Sequence, residues 1–86
     1  MPARKKTPLG RTFGGVLKAA RKERGLNQEE LSSLVGYSRV QVGYVETGIS
    51  TPSLELLILL EQALELPAGE LMRQTVEALP KRWRSK

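Results

Sequence analysis

Eighty-six residues carrying 14 lysines and arginines against nine acids, a net charge of +5, fit one small basic domain. With neither cysteine nor histidine, the chain excludes disulfides, thiol catalysis, zinc fingers and imidazole acid–base chemistry together. The longest apolar run, Leu56 to Leu60, falls far short of the roughly 20 residues that a bilayer span requires, and the basic N-terminus lacks the apolar stretch of a signal peptide, so a soluble cytoplasmic protein is expected.

Residues 1–11 begin with two prolines and the cations Arg4, Lys5 and Lys6, and are predicted to form a basic, flexible N-terminal arm. A domain is expected over 12–79. Its first helix runs from about Thr12, as cap, to Glu23, with Phe13, Val16, Leu17 and Ala20 at helical spacing and Gly25 as the stop. Gly14 and Gly15 weaken its opening turn by about 0.5–1 kcal/mol each relative to alanine. Two short helices follow, at about 28–35 and 39–46. Asn27 with Glu30, and Ser38 with Gln41, have the spacing of reciprocal caps, and Gly36 suits the left-handed residue between the helices. Leu31, Leu34, Val35, Val42 and Val45 supply their apolar faces. Such a pair, spanning 27–48, commonly presents its second helix to the major groove of DNA.

Thr51-Pro52 reads as cap and first residue of a fourth helix running to about Glu65. Leu66-Pro67 restarts the chain into a fifth helix, about 68–78, which Pro80 closes; residues 80–86 form a basic tail containing Trp83. Strand alternation and internal repeats are absent from the sequence, so the fold class is all-α with five short helices. Charge is distributed unevenly. Residues 1–22 hold seven cations and no acid, residues 81–86 hold four, and all nine glutamates lie within 23–80 beside only Arg24, Arg39 and Arg73. Basic ends around an acidic body suit contact with a polyanion through the ends; solubilising tails are the alternative. Scattered glutamates without histidine, cysteine or aspartate offer no nucleophile–base or metal constellation, so neither an enzyme nor a cofactor is expected.

The segments FGGVLKAARKERGLNQEEL from Phe13, VGYSR from Val35, YVETG from Tyr44 and PSLELL from Pro52 resemble, in order and spacing, the Cro/phage-repressor (XRE-type) helix-turn-helix family. The resemblance implies a five-helix, lambda-repressor-like DNA-binding domain whose second and third helices form the motif. It places Arg39, Val40 and Tyr44 at base-reading positions, and Gln28, Ser38, Gln41 and Thr47 at phosphates or the groove rim. Tyr44 has the alternative of packing against the fourth helix. Gly43 either allows close backbone approach or marks a position without readout. Ser32 stands where the two helices cross closely, with its hydroxyl free to bond back to a carbonyl. Arg21 is matched to a salt bridge with Glu46 at the end of the recognition helix, a phosphate contact being its alternative. Arg39 suits the O6 and N7 of guanine, and Val40 a thymine methyl. The arm cations Arg4, Lys5 and Lys6 supply phosphate or neighbouring-groove contacts.

On the fourth helix, Leu54, Leu57, Leu60, Ala63 and Leu64 read as the core stripe, with Leu56, Ile58 and Leu59 surplus to it. Together with Met72 and Val76 of the fifth helix, Leu56 and Leu59 are expected in a homodimer interface; cover by the fifth helix of the same chain is the alternative. The resulting expectation is a transcriptional regulator that binds double-stranded DNA at an inverted-repeat operator as a homodimer. Alternatives are a restriction–modification controller or an antitoxin that neutralises a toxin and represses its own operon, with a toxin or RNA polymerase as candidate protein partner. Regulation by protein concentration is expected ahead of a small effector, since no second, ligand-sensing domain follows in the sequence.

Overall fold

The computed structural model describes residues 7–80; the arm residues Arg4, Lys5 and Lys6 and the tail with Trp83 lie outside the described residues. Five helices follow one another: α1 (Pro8–Glu23), α2 (Gln28–Val35), α3 (Arg39–Glu46), α4 (Leu54–Ala63) and α5 (Glu70–Ala78), with no strand among the described residues. The all-α, five-helix expectation holds.

The first helix begins earlier than the sequence pattern suggests. Thr7 is the cap, its hydroxyl accepting from the Gly10 N–H at 2.9 Å, and Pro8 occupies the opening helical position, where its missing N–H costs nothing. Residues 8–11 are therefore helix rather than arm, and Thr12 lies inside it. At α4 the shift runs the other way. Ser53, not Thr51, accepts the Leu56 N–H at 3.1 Å, and Pro52 stands before the cap.

With Ser53 as cap, Leu54 is the first residue of α4. Leu56, Leu60 and Leu64 point into the core at i, i+4 and i+8, while Leu54 is 70% exposed. Leu54 is thus not a core residue, and Leu56, expected at a dimer interface, is buried. Leu57 and Leu59 are half-buried against the core, and Ile58 stays exposed. On α2, Leu34 also faces outward. Phe13, Leu17 and Ala20 of α1 meet Leu31 and Val35 of α2, Val42 and Val45 of α3, and Leu71 of α5 in one cluster. Full burial of each large aliphatic side chain contributes about 1.5–3 kcal/mol.

Two contacts fix how the helices cross. Gly14 of α1 lies directly on the C-terminal turn of α3: a Cβ there would overlap the Glu46 carbonyl oxygen and sit 2.6 Å from that of Val45. Gly14 is thus required by packing, whereas Gly15 faces open space. At the other end, the buried Glu61 carboxylate accepts the N–H groups of Gly69 at 2.8 Å and Leu71 at 2.9 Å, capping α5 from α4. This explains why α5 begins at Glu70 rather than 68.

Candidate nucleic-acid interface

The α2–α3 unit is built from local hydrogen bonds. Glu30 N–H donates to Asn27 Oδ1 at 2.7 Å and Asn27 N–H to Glu30 Oε1 at 2.8 Å. At α3, Gln41 N–H donates to Ser38 Oγ at 3.1 Å and Ser38 N–H to Gln41 Oε1 at 3.0 Å, a second reciprocal cap. Between them Gly36 takes φ +77°, a conformation costly for any residue with a Cβ, and its N–H closes α2 on Ser32 O at 2.9 Å. Ser32 is buried at the crossing and its hydroxyl donates to Glu29 O at 2.8 Å.

The far end of α3 is tied down by charge. Arg21 Nε donates to Glu46 Oε2 at 2.6 Å and Nη2 to Oε1 at 3.1 Å, with both side chains almost wholly buried. Nη1 donates to Leu26 O at 2.7 Å, so all three guanidinium nitrogens face the protein. The hydrogen bonds that Arg21 donates to Glu46 raise its pKa above the ordinary value against the opposing effect of burial. The bidentate pair is present, and with Leu26 O it engages three of the five guanidinium N–H donors.

Around this anchor one face of α3 stays open. Arg39, Val40 and Tyr44 are exposed, and with Gln28, Gly43, Thr47 and Ile49 they line a shallow cleft of about 350 Å³. The three positions that the resemblance assigns to base reading thus share one surface. Tyr44 also borders a second cleft, toward Tyr37, Ser53 and Leu56, so it stands between the exposed α3 face and α4. Ser38 and Gln41 sit at the N-terminal rim, engaged with each other. The Thr47 hydroxyl turns inward to Gly43 O at 3.0 Å. Gln28, placed at the rim by resemblance, donates from Nε2 to Glu46 Oε1 at 3.0 Å, joining α2 to the end of α3. Nothing in the spacing of residues 28 and 46 signals that contact, nor the place of Ile49 at the cleft edge.

Met72 and Val76, 51% and 43% exposed, border a separate apolar cleft of about 290 Å³ with Leu9, Phe13, Pro52 and Leu57. No described helix is long and apolar enough to cross a membrane, and no described group of acidic side chains is arranged to hold a metal ion. Among the described residues, Arg39 is the only charged one lining the cleft beside α3. Residues 7–80 carry seven lysines and arginines against nine glutamates, net −2, so the positive excess of the chain resides in residues 1–6 and 81–86.

A helix-turn-helix family model matches residues 17–71, which covers more than half of the chain and the whole α2–α3 unit. The chain belongs to the XRE-type helix-turn-helix family. Members are DNA-binding transcription regulators rather than enzymes. Among solved structures, this helix-turn-helix protein is similar to the restriction-modification controller protein C.AhdI from Aeromonas hydrophila. They share 39% identity over 71% of this chain and 92% of that one, with a TM-score of 0.69. The clp gene regulator ClgR from Corynebacterium glutamicum shares the fold at a TM-score of 0.78, with 21% identity over 88% of this chain and 97% of ClgR. The controller protein C.Esp1396I does so at 0.75 and 19% identity, over 93% and 100% of the two chains. No curated protein matches this sequence.

Proposed function

We propose that this helix-turn-helix protein regulates transcription by binding an inverted-repeat operator as a homodimer in the cytoplasm. The observation that carries the reading is the exposed α3 face with Arg39, Val40 and Tyr44 on one cleft, held rigidly by the buried Arg21–Glu46 pair. Arg39 reads guanine, Val40 a thymine methyl, and Tyr44 a base or phosphate. Ser38, Gln41, Thr47 and the remaining amide N–H of Gln28 lie at the groove rim for phosphates, as do the free N–H groups at the start of α2 and α3. Arg4, Lys5 and Lys6 add the charge that the reading face lacks. Dimerisation through Met72 and Val76 has the support of their exposure beside an apolar cleft. Leu56 has no part in it, and Leu59 offers only its uncovered edge.

The 39% identity to C.AhdI favours one role within the family, that of a restriction–modification controller. Selection of bound fragments from random duplex DNA tests the proposal. Enrichment of a palindrome with half-site centres about one helical turn, roughly 34–36 Å, apart is expected, and Arg39→Ala should lose its preference for that palindrome over random DNA. Recovery of unenriched DNA, or undiminished preference in Arg39→Ala, contradicts it.

A further inference from the structure

The cleft beside α3 contains an amide carbonyl, an acceptor of a kind that Arg39, Val40 and Tyr44 do not carry. Arg39 has donors only, Val40 has neither donor nor acceptor, and the hydroxyls of Tyr44 and Thr47 both donate and accept, the Thr47 proton going to Gly43 O. Gln28 is different. Both Glu46 carboxylate oxygens accept from the Arg21 guanidinium and have no hydrogen to offer, so the Gln28 atom 3.0 Å from Glu46 Oε1 must be the NH2 group. The amide orientation is therefore decided, and Oε1 is the free end.

Oε1 has no hydrogen-bond partner among the described residues, yet no buried side-chain oxygen or nitrogen there is left unpaired, so Oε1 opens to solvent. Gly43 makes the room. A Cβ on Gly43 would lie 3.8 Å from Gln28 Oε1 and 3.9 Å from Nε2, so the amide rests over the notch that a larger recognition-helix side chain would fill. Gln28 and Gly43 both line the cleft with Arg39, Val40 and Tyr44.

We propose that Gln28 is a specificity residue: its locked side-chain carbonyl accepts a hydrogen bond from the exocyclic amino group of an adenine or a cytosine in the major groove. Those amino groups are the donors that bases present there. Gly43 is then the seat of a reading residue contributed by α2. The inference rests on the DNA-binding reading above and extends the reading surface from one helix to two.

The test uses the full chain and a duplex selected by the wild-type protein, with every single base-pair substitution across one half-site. In wild type, one pair bearing the recognised amino group should show a penalty of about 10–100-fold on substitution. Gln28→Met keeps the length and removes the polar atoms; the penalty at that pair should fall to within about threefold while the other pairs keep theirs. Gly43→Leu, which displaces the amide from its seat, should relax the same pair, and circular dichroism melts establish that both variants are folded. Uniform weakening of Gln28→Met across all duplexes, with the penalty pattern intact, would overturn the proposal in favour of a phosphate contact. An unchanged pattern and affinity would overturn it as well. Absence of any sequence preference in wild type instead removes the DNA-reading assignment on which it rests.

Discussion

Replacing Glu46 with glutamine probes the anchor of the recognition helix at nearly constant volume. The carboxylate accepts three hydrogen bonds, from Arg21 Nε and Nη2 and from Gln28 Nε2. A glutamine has one carbonyl oxygen, so its NH2 must face a guanidinium or amide donor, and a buried arginine loses its counter-charge. Removing one partner of a buried ion pair costs about 3–5 kcal/mol, set against the 5–15 kcal/mol by which a native domain is ordinarily stable. At roughly 4–8 °C per kcal/mol for a domain this size, even the lower figure lowers Tm by about 12–24 °C. Urea unfolding followed at 222 nm gives the number. The double replacement Arg21→Met with Glu46→Leu should lose less than Glu46→Gln alone, because no charge is left unpaired. A loss below about 1 kcal/mol for Glu46→Gln, the range of exposed ion pairs, would refute the reasoning.

Gly14→Ala should destabilise the fold by about 1–3 kcal/mol, since its Cβ meets backbone carbonyls that cannot move aside, while Gly15→Ala should stabilise it by about 0.5–1 kcal/mol; equal effects in thermal melts contradict the packing assigned to Gly14. Removing residues 1–6, which leaves the Thr7–Pro8 cap intact, should flatten the plot of log K against log salt by about 0.9 for each phosphate that the arm neutralises; an unchanged slope takes the arm out of the interface. Met72→Glu should shift a dimer toward monomer in sedimentation, and a mass that stays dimeric excludes that face. Hydrogen bonds from Arg73, and then Gln74, hold Glu70 at a pKa of about 2, below its ordinary 4.5. Its contribution to stability is therefore complete above pH 4.5 and lost as the pH falls through 2. A carboxyl NMR titration with a midpoint near 4.5 contradicts the pairing.

The parts of the structure legible in the sequence are those whose partners are close in the chain. Asn27 with Glu30 and Ser38 with Gln41 announce two helix starts because a reciprocal cap always spans three residues. Gly36 marks the turn for an equally local reason. Arg21 and Glu46, 25 residues apart, are paired by resemblance alone; spacing says nothing about them. In α4 the run from Leu54 to Leu60 is apolar at all but one position, so period carries no phase, and the core takes Leu56 rather than Leu54. Thr7-Pro8 carries the same cap-and-proline signal as Thr51-Pro52, but composition, read as an arm, submerges it. Glu61, reaching forward to cap α5, and Gln28, resting on Gly43, depend on how helices cross, which no local pattern records.

Whether the α3 face and the start of α2 read DNA is tested most directly by titrating 15N-labelled protein with a selected duplex and following the amide chemical shifts. The largest perturbations are expected at Gln28, Arg39, Val40, Gly43, Tyr44 and Thr47, with Met72 and Val76 unaffected once the dimer is formed. Perturbations concentrated on α5, with the α3 face silent, would contradict that assignment.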